Sequence, residues 1–509
     1  METLQQAIQY IRTCPDYPFF AIDLFCGAGG ETSGIEAATV NGRKVAKVFA
    51  CVNHDPHAIA SHAANHPDTL HYIEDIRTLN TGGLEEMVRT IRETHPGSKV
   101  ILHASCECTN YSRAKGGLPR DPDSRTLPEH LYRYIEALNP DYVQLENIED
   151  FMCWGDLDED GHPLSKDAGR LYLLWVNHIR NYGYDYHYRI LNAADFGAYT
   201  SRKRYFGIFS RPGLPVAFPE PTHAKNPDKG LFGTLQPWKA VRDVLDLDDE
   251  GKSIFDRDKP LVDATLRRIY AGLRKFTASK EDTFLVKNYS GDDASKCIST
   301  DGPSGTVTCK DHHSLVKVSF LDKQYGTGVA ASVGNPCGTL TTVPKEKLVT
   351  VTQFLDQQYG NSKPAGLESP CGTITTNPKQ NLVTVEKRET LLLNPQYNWP
   401  MYGTDKPCPT IIARQDKRPM YSVTTNYGNG MITDSGNDSE TMKELKSFCR
   451  ENGIMDVKMR MLKIEELLTI MGFPRNYILV GTSSEKKKYI GNAVECGMAR
   501  HLMQALASA

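Results

Sequence analysis

At 509 residues the chain exceeds one ordinary hydrophobic core, so two or three domains are expected. Its 39% hydrophobic and 24% charged residues are those of a globular protein, and no apolar run is long enough to span a bilayer. The net charge of −3 does not announce a nucleic-acid binder, so a basic face must come from local clusters such as 113–125, 266–275 and 414–418. Thirteen scattered cysteines argue against a disulfide framework and for a reducing, cytoplasmic setting.

The opening METLQQAIQYIRTCPDYP lacks the basic-then-apolar layout of a secretory signal and reads as a short amphipathic helix stopped at Pro15. From Pro18 to about Arg211, apolar runs alternate with helical stretches. FFAIDLF, KVFACVN, KVILHAS, YVQLENI and RYFGIFS read as buried strands; GLEEMVRTIRET and HLYRYIEALNP have helical periodicity. This alternation predicts an α/β fold, a mostly parallel sheet covered on both faces, with its chemistry at the carboxyl ends of the strands.

From about Pro212 to Asp456 Gly, Pro, Thr and Asn become common and helices rare. An internal repeat of about 33 to 37 residues runs through this region. FLVKNYS at Phe284, FLDKQYG at Phe320 and FLDQQYG at Phe354 open it, with LLNPQYN near Leu392 a weaker fourth. Thr-rich runs follow (SGTVTC, CGTLTT, CGTITT, CPTIIA), and leucine–valine pairs close most copies. Turn residues between β-branched runs predict repeated hairpins. An inert β scaffold and a DNA-reading surface fit them equally, because repeats alone specify no ligand. From Val457 the chain turns helical: MRMLKIEELLTIMGFP reads as an amphipathic helix ending at Gly472 and Pro474, and YIGNAV leads into VECGMARHLMQALA. The expected division is therefore 1–211, 212–456 and 457–509.

Four constellations carry chemistry. In AIDLFCGAGGETSG a strand ending at Asp23 runs into Gly27, Gly29 and Gly30, which allow a tight turn and close approach to a ligand. This turn fits GxGxxG poorly, which weakens a nicotinamide reading. Asn53-His54-Asp55 ends the second strand, where a polar side chain can meet a ribose hydroxyl; Asp75 can accept from an exocyclic amine. Helix capping or a turn is the plainer reading of either Asp. In VILHASCECTNYSRAKGG a strand delivers Cys106 and Cys108 to its end, where a thiolate can attack. His103, Cys106 and Cys108 make half a zinc site, but no second pair with ligand spacing lies nearby, so no metal is expected. A buried inert thiol is the other plain reading. YVQLENIEDF ends a strand in Glu146 and Asn147; a desolvated Glu can act as an acid. In FGAYTSRKRYFGIFSR, Arg202 and Arg204 alternate along a strand and share a face suited to carbonyl or phosphate recognition.

Taken in order, these pieces resemble the cytosine-5 DNA methyltransferases. DLFCGAGG is similar to the family's first motif, which holds the methionine part of S-adenosylmethionine. CTNYS matches the catalytic motif, in which the nucleophilic cysteine lies four residues before a serine; the resemblance thus selects Cys108. ENI matches Glu-Asn-Val, Arg202 and Arg204 match the Arg-x-Arg that contacts the flipped base, and Arg460, Leu462, Glu466 and GFP match the ninth motif. IGNAV matches the tenth, whose Asn helps bind the cofactor. Departures exist. Cys106 and Glu107 precede Cys108 where Pro is usual, so that SCECT resembles the Ser-Pro-Glu-Cys-Thr of a bacterial and phage subgroup. Tyr199 and Thr200 stand in place of Pro and Gln. Asn53 replaces the ribose-binding acid, and Thr469 and Met471 replace Arg and Gln.

The resemblance implies a Rossmann-like S-adenosylmethionine-dependent methyltransferase domain with an inserted, mostly β target-recognition domain. It implies methyl transfer to carbon 5 of cytosine in duplex DNA, by base flipping and a covalent cysteine adduct. Cys108, Glu146, Arg202 and Arg204 are the implied catalytic set. Asp23, Phe25, Gly27, Gly29, Asn53, His54, Asp75 and Asn492 are the implied cofactor residues. Ser112, Arg113, Lys115 and Arg120 in the catalytic loop, with Arg414, Lys417 and Arg418, are the expected DNA contacts. A cytoplasmic monomer, with or without a cognate restriction endonuclease, is the expected setting. A tRNA cytosine-5 methyltransferase shares these motifs with a smaller insert. A catalytically silent DNA-binding relative would have no need of the Cys108, Glu146 and Arg204 set. A nicotinamide oxidoreductase explains only the first glycine turn.

Overall fold

The computed structural model describes residues 1–106, 122–156, 158, 168–228, most of 230–304, strand segments between 306 and 432, and 434–451 and 454–509. Cys108 and the expected DNA contacts Ser112, Arg113, Lys115, Arg120, Arg414, Lys417 and Arg418 lie outside the described residues.

The amino-terminal region is built on seven strands: β1 (Phe19–Leu24), β2 (Ala46–Asn53), β3 (Leu70–Ile73), β4 (Lys99–Ala104), β5 (Tyr142–Asn147), β6 (Asp185–Asn192) and β7 (Lys203–Ser210). They lie in the order β3-β2-β1-β4-β5-β7-β6. The pairs β1–β2, β1–β4, β2–β3 and β4–β5 are parallel, while β7 runs antiparallel to both β5 and β6. This is the mostly parallel, Rossmann-like sheet expected from the alternation of apolar runs. The strand order reverses between β1 and β4, so a crevice opens at their carboxyl ends.

Burial explains which strands the apolar runs reveal. All six residues of β1 and of β5 are buried, because helices cover both faces. On one face lie α1 (Leu4–Thr13), α4 (Gly82–Thr94), α5 (Leu131–Leu138) and α6 (Arg170–Asn181). Each contributes a stripe at helical spacing to a common core, such as Leu84, Met87, Val88 and Ile91 from α4. On the other face α2 (Gly30–Ala37) and the final helix α11 (Cys496–Ala507) bury Ile35, Met503 and Leu506 against Phe19, Ala21, Val48 and Ile101. Strand β6, largely exposed at the sheet edge, has no apolar run, and sequence patterning passes over it. Helix α3 (Pro56–Asn65) follows β2 and is capped by Asp55, whose carboxylate accepts from the His57 and Ala58 amides.

A second sheet forms within the central region. Its path runs Lys252–Ser253, Ile454–Met461, His313–Lys323, Thr283–Lys287, Cys297–Ser299, with Glu346–Val349 also paired to His313–Lys323. The repeat is legible in its register. Phe284 pairs with Val316, Phe320 with Val349 and Phe354 with Val383, so each opening Phe-Leu faces a closing Leu-Val in the same alignment. The fourth copy pairs Leu392 with Ser422. Two helices that the composition does not advertise, α7 (Asp263–Thr277) and α8 (Glu440–Glu451), share a core with this sheet through Leu266, Ile269, Leu273, Leu445 and Cys449.

The segment MRMLKIEELLTIMGFP is corrected by the structure. Its MRM closes the strand Ile454–Met461, which pairs with His313–Lys323, and only Ile464–Ile470 is helix (α9). Arg460 at the strand end ion-pairs with Glu466 at 2.8 Å, so the two halves fold against each other instead of continuing as one helix. α10 (Ser483–Asn492) then leads into α11. No helix among the described residues is long and apolar enough to cross a membrane.

The close approach of α2 and α11 rests on Gly34. A Cβ there would run into the Cys496 carbonyl oxygen and stand 2.5 Å from the Ala499 Cβ, and neither atom can yield without moving α11. Gly34→Ala is expected to destabilise the protein by about 1–3 kcal/mol, measured as a lower midpoint in urea unfolding. An unchanged midpoint would show that α11 docks more loosely than described.

Candidate active site

The carboxyl ends of β1, β2, β4 and β5 face one cleft of about 300 Å³, closed on its other side by the end of α10. β1 delivers Asp23, which is fully buried. Its Oδ2 accepts from the Thr32 hydroxyl at 2.7 Å, while Oδ1 has no hydrogen-bond partner. Burial raises this carboxyl to about 7 against the opposing effect of Thr32. The chain then turns through Phe25, which holds a left-handed φ of 60°, and Gly27, whose φ of 52° faces open space. A non-glycine residue held there costs about 1–3 kcal/mol, the kind of strain that gathers at ligand-binding turns. Gly29 does not line the cleft. It begins α2 at φ 94°, and a Cβ on it would stand 2.5 Å from the Tyr477 hydroxyl, so its role is to let the turn close.

Glu31, in the first turn of α2, escaped the sequence reading. It is buried, its Oε2 has no hydrogen-bond partner, and its Oε1 lies 3.5 Å from His103 Nδ1. Burial, with Asp23 and Glu146 close by, holds its carboxyl well up. Nothing in GAGGETSG signals this, because an acid in a first helical turn is ordinarily a solvated end-charge. Glu146, the penultimate residue of β5, is 5% exposed, and its Oε1 stands 3.0 Å from Arg204 Nε. Arg202 is 3% exposed and donates from Nη1 to the Gly491 carbonyl at 3.1 Å, which anchors the end of α10.

Cys106 follows β4 and lines the cleft. Burial first, and Glu146 second, push its thiol far above the usual range, which disfavours the thiolate. His103 Nε2 meets the Ser105 hydroxyl at 3.1 Å, its Nδ1 has no hydrogen-bond partner, and burial brings the imidazole down to about 3.

Asn53, His54 and Asp75 line the opposite end. Asn53 turns its Oδ1 back to the Asp55 amide at 2.9 Å, leaving its amide nitrogen for a ligand. Asp75 is chelated by Arg77 at 2.6–3.0 Å, and that side chain pulls its carboxyl down to about 2. Asn492 joins this wall from α10, with Lys488 and Tyr489, the latter donating to Asp55 at 3.0 Å. Lys488 and Tyr489 were also missed, since only the tertiary fold brings KKKY beside the end of β2.

A family profile described as C-5 cytosine-specific DNA methylase matches residues 19–265 and 356–508. The chain belongs to that family. Its members are the DNA cytosine-5 methyltransferases, and the internal stretch left unmatched, 266–355, holds the first two repeat openings and the first residues of the third. Among curated relatives, Type II methyltransferase M.AquIA of Picosynechococcus is 28% identical over 44% of this chain and 86% of its own length. M.AgeI of Thalassovita gelatinovora is 26% identical over 47% of this chain, and M.XorII of Xanthomonas oryzae 31% over 40%. The chain spans about half the length of these last two, 53% and 43%. Among solved structures, a DNMT2 mutant of Spodoptera frugiperda aligns with a TM-score of 0.46 and 14% identity, covering 96% of this chain and 99% of that one. Entamoeba histolytica methyltransferase EhMeth gives 0.43 and 13%, covering 97% and 98%.

The methylase cleft thus gathers Asp23, Phe25, Gly27, Asn53, His54, Asp75, Glu146, Arg202, Arg204 and Asn492, ten residues singled out from sequence. One consequence is a pH dependence of stability. Asp23 at about 7 and Glu495, raised by burial to about 7, bind protons more tightly folded than unfolded. The stability they confer is complete below about pH 4 and is lost as pH rises through 7. Asp23→Asn keeps an acceptor for Thr32 and removes one titration. Without ligand, its melting temperature relative to wild type should improve by a few degrees between about pH 5.5 and about pH 8. A constant difference would show that Asp23 does not titrate there.

Proposed function

We propose that the chain methylates carbon 5 of cytosine in duplex DNA, with S-adenosylmethionine as donor. The observation that carries this is the convergence of Glu146, Arg204 and the end of β4 on the cleft that also holds the glycine turn. The donor fits the residues present. It bears an ammonium and a sulfonium, and the cleft holds three buried carboxylate oxygens without hydrogen-bond partners, on Asp23, Glu31 and Glu146, of which only that of Glu146 is ion-paired, to Arg204. A pyrophosphate would meet the same carboxylates as repulsion, which disfavours a dinucleotide. Asp23, Glu31, Phe25 and Gly27 would hold the methionine end; Asn53, His54, Asp75 and Asn492 would hold the nucleoside. S-adenosylmethionine supplies an electrophilic methyl group when bound.

The chain's own residues supply the rest. The target cytosine is flipped from the duplex at a cost of a few kcal/mol. The Cys108 thiolate adds to carbon 6 and makes carbon 5 nucleophilic. Glu146 donates to ring nitrogen 3, and Arg204 holds the ring carbonyl and keeps Glu146 in place. Arg202 ties this strand to α10 and so to the cofactor wall. Loss of the carbon 5 proton and expulsion of Cys108 complete the cycle. Residues 212–456 serve as the target-recognition region, with Ser112, Arg113, Lys115, Arg120, Arg414, Lys417 and Arg418 on the DNA backbone. The protein works as a soluble monomer in the cytoplasm, alone or beside a restriction endonuclease.

Duplex containing 5-fluorocytosine at the target should trap a covalent complex, because fluorine cannot leave as a proton does. Peptide mass spectrometry should place the adduct on Cys108. Cys108→Ala should lose trapping while binding S-adenosylmethionine in calorimetry; Cys106→Ala should retain trapping. An adduct on Cys106, or activity in Cys108→Ala, would overturn the assignment.

Joint replacement of Arg414, Lys417 and Arg418 by Ala should weaken duplex binding. It should also flatten the salt dependence by about one unit of slope per lost phosphate contact, with cofactor affinity intact. Unchanged DNA affinity in the folded variant would move the DNA surface elsewhere.

A further inference from the structure

Behind the glycine turn, three metal-ligating side chains from three elements meet. Cys26 follows β1, Cys51 lies in β2 and His62 in the last turn of α3. Their ligand atoms all lie within 4.8 Å of one another. Cys51 and His62 are fully buried and Cys26 is 6% exposed. The Cys26 thiol reaches only its neighbour's carbonyl, Gly27 O at 3.6 Å, and Cys51.

The imidazole hydrogen bonds orient His62 as a metal ligand would be. The Thr32 hydroxyl donates to Asp23, so it can only accept from His62 Nε2, 3.0 Å away. His62 Nδ1 is thereby left with its lone pair. It faces His71 Nε2 at 2.9 Å. With its hydrogen on Nε2, His71 donates to this lone pair, and a metal ion can take the place of that hydrogen. A ligand histidine whose outer N–H is held by an oxygen is also what metal sites require.

We propose that Cys26, Cys51 and His62 bind a zinc ion, with His71 supplying the fourth ligand. Two sulfurs and two imidazole nitrogens are a closed structural zinc set. Zinc–ligand bonds of about 2.0–2.3 Å put tetrahedral ligand atoms about 3.3–3.8 Å apart, so Cys26, Cys51 and His62 need only draw in slightly, while His71, 2.9 Å from His62, has to swing toward the sulfurs. Each thiol gives up its proton on binding, and two thiolates neutralise the ion, which suits a site shut off from water. The ion would clamp the turn carrying Phe25 and Gly27 to β2 and α3, fixing both ends of the cofactor cleft from behind.

The full chain, purified without chelators, should carry one zinc by elemental mass spectrometry. Cobalt exchanged into it should show tetrahedral visible bands and thiolate-to-cobalt charge transfer. Cys51→Ala should lose the stoichiometric zinc and the charge transfer. His71→Phe, at a half-buried position on an edge strand, should weaken zinc at least about tenfold and alter the visible bands, which keeps the proposal testable if Cys51→Ala fails to fold. Wild-type protein that holds no zinc and gives no cobalt spectrum would overturn the proposal. Full zinc and unchanged cobalt spectra in either folded variant would do the same.

Discussion

Three carboxyl groups, Asp23, Glu31 and Glu146, are gathered where β1, β4 and β5 end and water is excluded, and the cleft depends on that desolvation. Buried acids are costly unless protonated, paired or met by a cation. Each of the three takes a different route. Glu146 has Arg204 at 3.0 Å, Asp23 is pushed to about 7 with one oxygen bonded to Thr32, and burial and its acidic neighbours push the Glu31 carboxyl well up. A site arranged this way is poorly satisfied when empty and welcomes positive charge. That makes it selective for a ligand with an ammonium and a sulfonium before any hydrogen bond is counted.

The rest of the fold keeps this arrangement in place from a distance. Gly34 lets α11 seat on α2, so the last helix of the chain braces the first turn of the cleft. The Arg202 bond to Gly491 joins the strand bearing Arg204 to the helix bearing Asn492. The central region is tied in at the same place. Ser201 donates to the Ser304 carbonyl and Ser304 to the Tyr199 carbonyl, so the first repeat's Gly-Pro-Ser stretch pairs beside the arginines. Motion in the inserted sheet therefore has a short backbone route to Arg202 and Arg204.

Much of this was legible in the sequence because burial on both sheet faces writes continuous apolar runs, as in FFAIDLF and YVQLENI. The acids and glycines at the ends of those runs fell into one cleft for the same reason. What escaped had no local signature. β6 is an exposed edge strand, and MRM reads as helical until Arg460 is seen to fold back on Glu466. Glu31 looks solvated until α2 packs against the sheet, and Lys488, which stays exposed, reaches the cleft rim only because α10 docks beside the end of β2. Cys26, Cys51 and His62 have no ligand spacing along the chain, since β1, β2 and α3 bring them together only in three dimensions.

The central claim is that this cleft methylates carbon 5 of cytosine, and bisulfite sequencing tests it most directly. Unmethylated duplex DNA incubated with the purified chain and S-adenosylmethionine should retain cytosine after bisulfite at one recurrent sequence context, with other cytosines converted. Complete conversion at every cytosine, by protein shown to bind both cofactor and duplex, would contradict the account.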